Sequence, residues 1–94
     1  MAKQHIVALL YDFDKTLCTR DMQEYTFIPS LGMEADDFWA EAEKVASKEK
    51  MDSVLAYMYC MIDQAAKAGV PLTRDVLVEC GKHIEYHPGV LEWF

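Results

Sequence analysis

"IVALLYDFDKTL", Ile6 to Leu17, decides the reading of this 94-residue chain. Ile6 to Leu10 is an unbroken apolar run, and Tyr11 extends it. Unbroken apolarity over so short a stretch fits a strand covered on both faces, as in a parallel sheet. A buried helical segment would carry the same run, but the β-branched pair Ile6-Val7 and the strand-favouring Tyr11 tip the balance. The run closes on Asp12 and Asp14, where charge is costly unless it is compensated. In α/β sheets, sites form at the carboxyl ends of strands, and both carboxylates fall at that end. Two carboxylates this close repel one another. A hard, oxygen-binding cation such as Mg2+ relieves the repulsion and leaves Asp12 ionised. An ionised carboxylate beside a metal can attack phosphorus. The second carboxyl can protonate the leaving oxygen and later activate water. Thr16 stands where a side-chain-to-backbone hydrogen bond would hold the turn. The same two aspartates also suit a plain solvated turn, or a cap for the helix that follows.

The longer string "ALLYDFDKTL" resembles the first motif of the haloacid dehalogenase superfamily of phosphohydrolases: an apolar strand, then Asp-x-Asp-x-Thr. By position, Asp12 resembles the family's nucleophile. Asp14 resembles its general acid/base, whose backbone carbonyl also binds Mg2+, and Thr16 resembles the motif threonine at the substrate. Lys15 stands where a small residue is commoner. Members with a helical cap directly after the first strand, such as the phosphoserine-phosphatase-like branch, are similar in carrying a run of helices there. In that branch Asp21 falls where some members hold an acidic substrate-binding residue. The stretch "HPGVLEWF" looks like the segment returning from such a cap to the core. The resemblance implies an α/β parent fold of the HAD-like Rossmannoid type, with this chain mainly α-helical plus one N-terminal β-strand. It implies a Mg2+ cofactor held by Asp12 and Asp14, and a small phosphorylated metabolite as substrate. The implied organisation is 1–18 as first core strand and nucleophile loop, 19–86 as helical cap, and 87–94 as the start of the return to the core.

Beyond Leu17 the apolar pattern turns helical. Thr19 or Asp21 is expected to cap a helix through Gln23, Tyr25 and Phe27 that stops before Pro29. Asp36 or Asp37 opens a second, with Phe38, Trp39, Ala42, Val45 and Ala46 at helical spacing. Asp52 or Ser53 starts a third, whose inward face is predicted as Val54, Leu55, Met58, Met61, Ile62 and Ala65, with Gly69 as its stop. Thr73 caps a fourth, with Val76, Leu77, Cys80 and Ile84 inward. His87-Pro88-Gly89 breaks it, and Val90 to Phe94 begins another apolar segment. A lone strand has unpaired edges, and the chain closes on apolar Trp93-Phe94. Both features are expected of the N-terminal part of something larger, which on its own would be catalytically incomplete. The family's phosphate-clamping cation and late acidic pair are not among these residues. Alternatively, the chain is a non-enzymatic helical module that self-associates, as a homo-oligomer, through its strand and apolar C-terminus.

Composition narrows the partners. Apolar residues are 52% and charged residues 27% of the chain, which reads as globular. A net charge of −7 argues against nucleic acid and gives no attraction to anionic membranes, while it suits a site that gathers a cation. Cys18, Cys60 and Cys80 form no C-x-x-C pair, which favours reduced thiols and a cytoplasmic location. The five-residue apolar run is too short for a signal peptide or a membrane span. His83 and His87 share a metal-type spacing with no third ligand evident, and a helix-end role is the commoner one. "YMYCMIDQ", Tyr57 to Gln64, suits core packing, or the lining of a substrate pocket. Lys15 and Arg20 are the cations nearest the aspartates, placed to meet a phosphate or simply solvated.

Overall fold

The computed structural model describes residues 3–94. A 3-10 turn at Met22–Glu24 precedes five helices: α1 (Phe27–Ser30), α2 (Ala35–Glu49), α3 (Ser53–Ala68), α4 (Arg74–Gly81) and α5 (Val90–Trp93). The chain is mainly helical. Among the described residues there is no sheet, and the sole β-type pairing is an antiparallel bridge between Cys18 and Tyr86.

The N-terminal strand expected over Ile6–Tyr11 does not form, and with it goes any α/β sheet within these residues. Ile6 is 96% exposed and Leu10 94%. A strand exists through hydrogen bonds exchanged with a neighbour, and no segment among the described residues runs alongside this one. The exposed arm helps explain a Cα radius of gyration of 17.3 Å, against about 12 Å for a compact chain of this length.

The first helix also departs from expectation. Asp21 opens only the short 3-10 turn, and α1 then restarts at Phe27 with Pro29 inside it. Pro29 is the third residue of α1, where the backbone N–H would have no intrahelical partner, so the proline costs no helical bond. α2 starts slightly earlier than predicted, at Ala35, which puts Asp36 and Asp37 in its first turn beside the positive end of the helix dipole. The Asp52 carboxylate accepts from the Val54 N–H at 2.8 Å, and α3 ends at Gly69 with φ 70°, the left-handed stop that glycine provides. The Thr73 hydroxyl accepts from the Val76 N–H at 3.3 Å at the start of α4.

The core lies between α1, α2 and α3. Phe27 and Ile28 meet Phe38 and Ala42 of α2 and Cys60 and Ala65 of α3, with Trp39, Tyr57 and Met61 packed around them. Trp39 stands edge-on to both Phe38 and Tyr57, and its indole N–H donates to Glu24 at 3.1 Å. α3 is rotated from the predicted face. Ala56, Cys60 and Ala65 are buried, whereas Val54, Leu55, Met58 and Ile62 are exposed. The helix is apolar almost all round, so small residues, which allow close approach to α2, select the packed side. In α4, Val76 and Cys80 are half-buried and Leu77 is exposed; Ile84 is half-buried but lies past the end of the helix.

Candidate active-site loop

The segment from Tyr11 to Asp21 is a tight, hydrogen-bonded loop. The Phe13 carbonyl accepts from the N–H groups of Thr16 (3.2 Å), Leu17 (3.0 Å) and Cys18 (3.3 Å), reversing the chain directly after Asp14. Lys15 takes φ 62° to make the reversal. Cys18 is fully buried beneath the turn, its sulfur 3.3 Å from the Phe13 carbonyl oxygen and 3.0 Å from that of Arg20. Its single proton serves one of them at a time.

The four residues singled out from the sequence fall on or beside this loop. Asp12 is exposed, with Oδ1 accepting from the adjacent Phe13 N–H at 3.0 Å. Asp14 is half-buried, and its Oδ1 accepts from the Met22 N–H at 3.1 Å, which ties the turn to the 3-10 segment. Thr16 is exposed and closes the turn through its backbone N–H; the side-chain bond expected of it is not what holds the loop. Asp21 is brought back towards the turn, its carboxylate 3.4 Å from Lys15 Nζ, while its backbone N–H donates to Glu24 Oε2 at 3.1 Å. Lys15 therefore has an acidic partner. Arg20 is exposed and contributes its backbone N–H to Tyr25.

A second segment buttresses the loop. The Thr19 N–H donates to the Glu85 carbonyl at 2.9 Å, and the His87 N–H to the Leu17 carbonyl at 3.0 Å. The Tyr25 hydroxyl sits at the junction. It donates to the Glu85 carbonyl (3.0 Å), accepts from the Arg20 N–H (2.8 Å) and pairs with the Thr19 hydroxyl (2.9 Å). Phe13 meets Tyr86 edge-on, and the Trp93 indole N–H donates to the Tyr11 hydroxyl at 2.8 Å. Sequence reading missed Tyr25, Met22 and Glu85. The Tyr25 bond to Glu85 carries no local signal, because that carbonyl lies 60 residues away.

Asp12 offers a carboxylate oxygen and Asp14 a backbone carbonyl oxygen, both hard donors of the kind Mg2+ takes, and Mg2+ commonly keeps several waters while binding few protein ligands. On donor chemistry the pair fits one side of such a site. No group of three or more His, Cys, Asp or Glu gathers among the described residues. His83 and His87 both lie outside the helices, so their spacing does not stack them on a helical face. The Tyr57–Gln64 stretch is split: Tyr57, Cys60 and Met61 pack into the core, while Met58 and Tyr59 are exposed. The cysteines are free thiols, and among the described residues no helix is long and apolar enough to cross a membrane. Comparison with protein-family models, curated proteins and solved structures finds no match to this chain.

Proposed function

We propose that the chain carries the nucleophile loop and helical cap of a Mg2+-dependent phosphohydrolase of the haloacid dehalogenase type, acting on a small phosphomonoester. One observation carries the reading: Asp12 is exposed at the mouth of a tight turn, bonded only to the adjacent Phe13 N–H, while Asp14, two residues on, is steadied by the Met22 N–H. In the proposed reaction an Asp12 oxygen forms a bond to phosphorus as the bond to the leaving oxygen breaks. Asp14 gives that oxygen its proton. Asp14 then takes a proton from the water that attacks the phosphorylated Asp12, releasing phosphate and restoring the carboxylate. Thr16 and Asp21 are assigned to the substrate. Asp12 and Asp14 would hold Mg2+, which supplies positive charge against the phosphate oxygens.

The α/β parent fold belongs to this proposal, with Ile6–Tyr11 becoming a strand only beside strands from outside these residues. So do a cytoplasmic location and the absence of nucleic-acid and membrane partners. Phosphoryl transfer depends on positioned charge, so a single motif is expected to give this chain little turnover by itself. The test is thermal stability with Mg2+ and beryllofluoride, a phosphoryl mimic. Joint stabilisation that disappears in Asp12→Asn is the expected result. Equal stabilisation in Asp12→Asn, or none in either protein, overturns the proposal.

A second reading, a helical module that self-associates without catalysis, is favoured by the exposure of Ile6, Val7, Leu9 and Leu10. Sedimentation separates it from the first, since a strictly monomeric chain at high concentration removes its basis.

A further inference from the structure

The hairpin of α2 and α3 carries a groove of about 570 Å3, where the charged residues Glu41, Lys44, Lys48, Glu49 and Asp63 surround Val45, Met51 and Tyr59. That volume is usual for a small-molecule site. Residues 50–52 fold α3 back along α2, so the charges are set out along the groove rather than mixed. Glu41, Lys44 and Lys48 share one face of α2, at positions i, i+3 and i+7. Glu41 stands near Asp63 and Lys67 of α3. All three act on the Cys60 thiol, and Glu41 and Asp63 both help Lys67 hold its proton. Lys67 pairs with Asp63 at 2.9 Å.

The two ends of the groove therefore differ in sign. Glu41 and Asp63 against Lys67 leave one end with a net negative charge, and Lys44 and Lys48 against Glu49 leave the other with a net positive one. Lys44 and Lys48 are exposed and lie one helical turn apart, a like-charge spacing that is unfavourable on a helix. Neither is ion-paired among the described residues. An anion seated between them relieves their repulsion. Val45 and Tyr59 lie between the two ends and offer apolar surface, the Tyr59 residue being 53% exposed. A simple anion in this groove meets the two lysines but also three carboxylates, and a simple cation meets the reverse. A molecule carrying both charges, one at each end, is matched throughout.

We propose that this groove binds a small zwitterion, with its acidic group between Lys44 and Lys48, its ammonium at Glu41, and an apolar body against Val45 and Tyr59. Five residues of α2 separate Glu41 from the midpoint of the lysines, which sets the two ligand charges about 7 Å apart. The groove shares no residue with the aspartate loop, so this site stands or falls independently of the phosphohydrolase reading.

The experiment follows the Met51 methyl and the Val45 and Tyr59 amides by NMR as three ligands are added to the full chain. The probe is 4-(aminomethyl)benzoate, a ring with the two charges at opposite ends. The controls are 4-methylbenzoate, which lacks the ammonium, and 4-methylbenzylamine, which lacks the carboxylate. The probe is expected to shift all three signals and to bind roughly threefold or more tighter than either control, as contacts between exposed charges allow. In the double variant Lys44→Gln, Lys48→Gln, it should bind no better than 4-methylbenzylamine. In Glu41→Gln, it should bind no better than 4-methylbenzoate. These substitutions keep polar side chains at the surface, and unchanged Trp39 and Cys60 signals check that the core is intact. Binding should persist in Asp12→Asn. A control that binds as tightly as the probe makes the groove a plain anion or cation site and overturns the proposal. So does a preference for the probe that is unchanged in both sets of variants, or the absence of saturable shifts at Met51, Val45 and Tyr59.

Discussion

The Tyr25 hydroxyl donates to the Glu85 carbonyl at 3.0 Å, joining points 60 residues apart in the chain. The same oxygen receives the Arg20 N–H and meets the Thr19 hydroxyl. One side chain thus fastens the end of the aspartate loop to the segment that follows α4. Tyr25→Phe keeps the ring and deletes all three interactions. It should cost about 1–3 kcal/mol in denaturant unfolding, towards the lower figure because the freed backbone groups can reach water. Amide exchange should accelerate at Arg20, while the amides of α2 and α3 keep their protection.

Asp12 and Asp14 should respond differently to removal, although they are two residues apart. Asp12 is exposed and bonded only to its neighbour's N–H, so Asp12→Ala should change stability by less than about 0.5 kcal/mol. Asp14 anchors the Met22 N–H across eight residues, and Asp14→Ala should cost about 0.5–1.5 kcal/mol. Urea unfolding of both variants checks the contrast.

Burial between α2 and α3 pushes the Cys60 thiol above its ordinary value of 9.0; Glu41 and Asp63 push the same way and Lys67 opposes them. A group that holds its proton more tightly when folded contributes stability that is complete below its unfolded value and is lost as pH rises through its folded one. The Cys60 contribution should therefore be full at neutral pH and fall above about pH 9. Lys67, raised chiefly by its hydrogen bond to Asp63, adds a loss of the same sign around and above 10.5, so the comparison belongs below that. Cys60→Ala should be less stable at neutral pH and show a flatter decline from pH 9 upward, read by denaturation at a series of pH values.

The sequence disclosed its helix ends more faithfully than its tertiary contacts. Asp52, Gly69 and Thr73 act where they were expected, because a cap is a bond between near neighbours. The inward face of α3 was not legible. Its apolar residues nearly encircle the helix, so periodicity could not choose between Ile62 and Cys60, and packing against α2 did. Ile6–Leu10 has the composition of a buried strand, yet a strand's form is decided by a neighbour that local composition cannot supply. At the loop, the aspartates were legible from their spacing. Their supports were not, since Met22 acts through its backbone and Tyr25 reaches a distant carbonyl.

The two tryptophans stand in contrasting surroundings. Trp39 is wedged among Phe38, Tyr57 and the Glu24 carboxylate, whereas Trp93 is 65% exposed and rests against Tyr11. Fluorescence from this chain is consequently a composite of two emitters. A dissolved quencher such as iodide should reach Trp93 first, making the residual light a gauge of the helical core and the extinguished part a gauge of whether Tyr11 still rests against the last helix.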